Sequence, residues 1–143
     1  MTSKLIYLTY QTFPANTANS LQTITMLKYF SRSSYDVELI FPNRADNSSG
    51  DIEILQKHYD FKESYDVTLT KHNYPFRDYK TKVYFTKLRF HISHFLWSLN
   101  VVKRVADDQK SDTLFFTRSD WVFYFLSKRK TTSKLTTYNF KIE

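Results

Sequence analysis

The stretch KLIYLTYQTFPANTANSLQTITMLKYF, Lys4 to Phe30, decides how the rest of the chain is read. Lys4 to Thr9 is a short apolar run rich in β-formers and reads as a strand; Tyr10 to Asn19 is a polar loop. Ser20 to Arg32 follows with Leu21, Ile24, Leu27 and Phe30 on one side, the spacing of an amphipathic helix. A strand that passes through a loop into a helix start leaves unpaired N–H groups at the positive end of the helix dipole, a setting that suits anions.

The same alternation continues outward. Asp36 to Phe41 reads as a second strand, Asp51 to Tyr59 as a short helix and Asp66 to Thr70 as a third strand. A long helix over Thr81 to Asp107, a fourth strand over Asp112 to Thr117, a helix over Ser119 to Lys130 and a fifth strand over Leu135 to Phe140 complete the series. With right-handed crossovers it predicts an α/β fold: a three-layer Rossmann-like domain over residues 1–143, its parallel, doubly wound five-stranded sheet ordered 3-2-1-4-5. Strands one and four are then neighbours whose connections leave to opposite faces. The crevice at their carboxyl ends is walled by Tyr10 to Asn19 and by Thr117-Arg118-Ser119.

Composition narrows the function classes. At 41% hydrophobic and 24% charged residues the chain reads as globular, and no apolar run approaches the roughly 20 residues that span a bilayer. The apolar run at the N-terminus is too short for a secretory signal, so the expected location is cytoplasmic. The absence of cysteine excludes disulfides and thiolate metal sites. The net charge of +7 is unevenly spread: residues 71–104 hold 8 basic and 1 acidic side chains, whereas residues 1–70 hold 6 and 8. Such a block suggests an anionic partner, whether lipid, nucleic acid or phosphorylated substrate, or else a solvated basic helix face. No nucleic-acid-binding motif accompanies the charge, which places nucleic acid below membrane.

In the first loop Pro14 stiffens the chain, while Asn16, Asn19 and Ser20 offer side-chain acceptors and helix caps. Asparagine tolerates the left-handed backbone, so Asn16 and Asn19 stand where phosphate-cradling loops use glycine; neither G-x-G-x-x-G nor a P-loop is present. Arg118, between a strand end and a helix capped by Ser119 or Asp120, could fork onto a carboxylate or phosphate or serve an internal salt bridge. His91 and His94 are three apart, but no third ligand accompanies them, so a solvated helix face is expected and no metal; His58 and His72 carry no pattern. On the long helix, Phe85, Leu88, Ile92, Phe95, Leu99, Val102 and Ala106 form a stripe expected to face the sheet. Val83, Phe90, Trp97 and Val101 form a second stripe about 165° away, flanked by Lys80 and Lys87 on one side and Lys82 and Arg89 on the other. That second stripe is expected to be a docking face for an anionic membrane or a partner, unless another element of the protein covers it.

KLIYLTYQTFPANTANSLQTITMLKYF, then YDVELIFP, then DTLFFTRS, resembles the N-terminal half of glycosyltransferase family 4 enzymes, from Lys4 to about Phe140. The resemblance implies the acceptor-side lobe of a two-lobed GT-B enzyme that moves a sugar from a nucleotide-sugar donor to a glycan or lipid-linked acceptor. It implies that Pro14 to Ser20 reach the donor phosphates and the acceptor. It implies no cofactor beyond the nucleotide-sugar substrate. The chain departs from that pattern in carrying Ala18-Asn19-Ser20 where many relatives have paired glycines, and Asn139-Phe140-Lys141 where they read glutamate, apolar, histidine. The donor-binding lobe with its E-x7-E pattern is not in these 143 residues, so the expectation is a truncated or split enzyme, inactive alone, whose C-terminal lobe is encoded separately.

Overall fold

A computed structural model describes residues 3–72, 83–107 and 113–128, with side chains in the long helix described from 87 to 106. Strands β1 (Ser3–Leu8), β2 (Tyr35–Pro42), β3 (Asp66–Thr70) and β4 (Thr113–Thr117) form one parallel sheet ordered β3-β2-β1-β4. Helices α1 (Ala18–Ser31), α2 (Ile52–Tyr59), α3 (Val83–Asp107) and α4 (Asp120–Lys128) alternate with the strands. The fold is therefore mixed α/β, with a parallel four-stranded sheet flanked by helices. The fifth strand expected at Leu135 to Phe140 lies outside the described residues.

Strand β1 shows why the sheet is central. Its successive side chains point to opposite faces and both sets are buried, as a parallel strand between two helical layers requires. Leu5 and Tyr7 join Val37, Leu39, Phe41 and Phe116 on one face, where Ile24 and Leu27 of α1 and Leu55 of α2 cover them. Ile6 and Leu8 join Ile40 and Phe115 on the other, beneath Trp97, Val101, Val102 and Val105 of α3 and Val122 and Leu126 of α4. Each such fully buried side chain contributes about 1.5–3 kcal/mol relative to exposure.

Two sequence expectations are corrected here. Helix α1 begins two residues before Ser20, because Thr17 caps it. The Thr17 hydroxyl accepts the Ser20 N–H at 3.1 Å and the Ser20 hydroxyl accepts the Thr17 N–H at 3.1 Å, a closed capping box. Helix α3 is rotated from its expected orientation, although Val102, expected inside, is in the core and Phe95, Leu99 and Ala106 are half-buried. Trp97 and Val101 are 4% and 3% exposed, and Phe90 is half-buried against the same core. Leu88 and Ile92, expected inside, are 58% and 45% exposed. The Phe90-Trp97-Val101 stripe is thus core and not a docking face; Lys80 and Lys82 lie outside the described residues, as does the Val83 side chain.

Leu88 and Ile92 lie on the side of the helix away from Phe90 and Trp97, whose rings meet Tyr10, so only one of the two stripes can be covered there. The longer stripe loses to the shorter one because the indole has a partner: Trp97 Nε1–H donates to Thr70 Oγ1 at 2.8 Å.

Candidate functional site

All four strands feed one cluster at the carboxyl edge. Tyr10 continues the Ile6-Leu8 alternation beyond the end of β1 and so falls on the α3 side of the sheet, 6% exposed. His94 of α3 lies flat on its ring, 4.3 Å between centroids and 10° from parallel. That leaves the opposite ring face to Arg44, two residues past β2, whose guanidinium carbon is 4.4 Å from the Tyr10 centroid and 5.0 Å from that of Phe90. Arg44 Nη1–H also donates to the Tyr10 carbonyl at 2.6 Å. The Tyr10 hydroxyl meets Nε2 of His72, two residues past β3, at 2.7 Å. Ser119, two residues past β4, completes the set with its Oγ 2.6 Å from His94 Nε2.

The protonation states follow from burial and from one cation. Burial raises the Tyr10 hydroxyl to about 12, with the Arg44 charge pulling the other way. Burial lowers His94 to about 4, reinforced by the charges of Arg44 and His91, so the imidazole is neutral near pH 7. Ser119 Oγ accepts the Val122 N–H at 3.2 Å as the cap of α4 and can still donate its proton to His94 Nε2. Burial also lowers Arg44, opposed by Tyr10. Arg44 has no carboxylate at ion-pair distance among the described residues, and its buried Nε–H has no acceptor there.

The loop residues expected to line the crevice are instead tied to one another and to α2. Asn16 Oδ1 pairs with His58 Nε2 at 2.8 Å, and the Tyr59 hydroxyl spans the Ala15 N–H and carbonyl at 2.7 and 2.8 Å. Phe13 is fully buried, its carbonyl accepting the Ser49 N–H at 3.0 Å, and Pro14 beside it is half-buried. Ser20 is buried in the capping box, and Asn19 is exposed on the first turn of α1. Neither Asn16 nor Asn19 adopts the left-handed backbone; among the described non-glycine residues only Asp60 does, with φ 52° at the end of α2. The loop needs no glycine because hydrogen bonds to Tyr59 and a capping box shape it. Arg118 reaches across to α1, Nη1–H to Gln22 Oε1 at 2.9 Å, and forms no ion pair among the described residues.

Of the residues expected to wall the crevice, Tyr10 and Ser119 belong to this cluster. Arg44, His72 and His94 were missed, and two of them left a signal. Arg44 follows a buried strand as Arg118 does, and His94 fills the helical gap between Phe90 and Trp97 at positions 90, 94, 97 and 101. His94 is therefore not on a solvated face, whereas His91 is exposed. Among the described residues no group of side chains could hold a metal ion, and no helix is long and apolar enough to cross a membrane. A cavity of about 90 Å³ between Lys4, Glu38, Thr68 and Arg104 has room for a few waters, well short of the roughly 300 Å³ at which ligand pockets begin. No protein-family model, curated protein or solved structure matches the chain.

Proposed function

We propose that the chain is the acceptor-side lobe of a glycosyltransferase of the two-lobed, Rossmann-like kind, cytoplasmic and acting together with a donor-binding lobe. The observation that carries this reading is the crevice at the carboxyl ends of β1 and β4. The helix after β1 packs on one face and the helix after β4 on the other, so the chain diverges there as it does at ligand sites of doubly wound sheets. In this reading Leu135 to Phe140 adds the fifth strand beside β4. Half-buried Phe90 on one side of the crevice offers aromatic surface of the kind that stacks on sugar rings, and half-buried Arg118 on the other offers a cation.

Titration of the isotope-labelled chain with glycans and lipid-linked acceptors tests the proposal. Resonances of Tyr10, His94 and Arg118 should move together, and a nucleotide sugar added alone should produce no transfer. Sugar transfer by the 143 residues unaided, or acceptor shifts confined to a surface away from this crevice, would overturn it.

A second reading has its own observation. Leu88 and Ile92 are exposed on α3 beside exposed Lys87 and Arg89, an apolar and basic surface suited to an anionic membrane. It supports a peripheral binding module that works through segment 71–104, without catalysis.

A further inference from the structure

We propose that helix α4 carries the second half of a membrane-binding face, with Trp121 and Tyr124 seated at the lipid–water boundary of an anionic bilayer. The inference rests on the second reading above and extends it beyond segment 71–104. Val122 and Leu126 point into the core, Trp121 and Phe125 follow on the flank toward α3, and Tyr124 turns outward. Phe95 of α3 meets Trp121 edge-on at 5.0 Å between centroids and Phe125 at 5.3 Å; Tyr124 lies 6.4 Å from Trp121 and 5.5 Å from Phe125. Phe95, Trp121 and Phe125 are half-buried and Tyr124 is exposed. Leu88 and Ile92 precede Phe95 on one stripe of α3, so the apolar surface runs from that helix onto the next.

The charges and the ring types together select the occupant. From residue 87 to 106 no acidic side chain occurs, and Lys87 and Lys103 are exposed. On α4 the Lys128 ammonium stands over the Tyr124 ring, 5.6 Å from its centroid, and Asp120 is the one acidic residue. An indole or a phenol joins an apolar body to one polar tip, and a lysine lays its stem on apolar surface while its ammonium stays in water; both suit the headgroup layer. Attraction of the lysines to anionic headgroups then adds to burial of the rings. A second copy fits this face poorly, because a two-fold pairing of the same surface would bring Lys87, Lys103 and Lys128 against their own kind.

Tryptophan fluorescence reads the face in the intact chain, because the other tryptophan, Trp97, is 4% exposed. Vesicles of phosphatidylserine and phosphatidylcholine with brominated acyl chains should quench the emission, and Trp121→Phe should remove that quenching. Trp121→Ala with Tyr124→Ala should weaken cosedimentation with the same vesicles by about tenfold while the thermal melt stays unchanged. Cosedimentation without quenching overturns the proposal and leaves the second reading in place, whereas no cosedimentation overturns both. Equal quenching by phosphatidylcholine alone rejects the anionic bilayer. A blue shift that grows with protein concentration in the absence of lipid gives the face to a second copy and overturns the proposal. If the double variant fails to fold, quenching of wild type against Trp121→Phe still decides.

Discussion

Tyr10 lies between a cation and a neutral imidazole, and the order of charges in that stack sets how the protein responds to acid. His94 has its ordinary value of 6.5 lowered to about 4 by burial, by Arg44 and by His91. Below pH 6.5 the unfolded chain takes up a proton that the folded chain refuses, so stability falls as pH drops from about 6.5 to about 4. His94→Gln should lose less stability than wild type between pH 7 and pH 4.5 in urea denaturation, since carboxylate contributions are common to both proteins. Parallel losses in the two would show that His94 is not held neutral. Single residues of this kind were only partly legible in the sequence. Ser119 and Arg118 stood out because they follow a strand and open a helix, whereas Arg44 and His72 matter only through Tyr10, 34 and 62 residues away along the chain. Local spacing carries no record of such a pairing.

At the scale of elements, the sequence and structure agree on every strand and helix within the described residues, to within about two residues at each end. Helix α3 shows where a one-dimensional pattern stops being informative. Both of its apolar stripes satisfy helical periodicity, and the choice between them depends on partners remote in the chain, among them an acceptor for the indole N–H. Thr70 supplies that acceptor from β3, so Trp97 is fixed by a hydrogen bond as well as by packing. Trp97→Ala should therefore cost about 3–5 kcal/mol in urea denaturation, the usual range for losing a buried large aromatic. Leu88→Ser, on the exposed side of the same helix, should change stability by less than about 0.5 kcal/mol. A small effect of Trp97→Ala would return the indole to the surface and reverse the orientation given to α3.

For the whole molecule, the parallel order was legible because alternating strands and helices leave few right-handed solutions, and the position of the crevice followed from the order. The residents of the crevice did not follow, because the same edge is supplied by loops whose side chains can turn to either face. Asn16 turned to α2 and Tyr10 to α3. The orientation of α3 also moves the membrane question to a different surface. With Phe90 and Trp97 in the core, the exposed large apolar side chains among the described residues of this helix are Leu88 and Ile92, on the turns that carry Lys87 and Arg89. Each basic residue near an anionic bilayer adds about 1 kcal/mol of attraction, which salt weakens. Two inserted aliphatic side chains add an apolar term that salt does not weaken. The chain should then bind vesicles containing phosphatidylserine in low salt and retain part of that binding at high salt. Leu88→Ser with Ile92→Ser should abolish the retained part while leaving the thermal melt unchanged. Retention in the double variant would place any membrane contact elsewhere, and a collapsed melt would mean that Leu88 and Ile92 are packed against the protein itself.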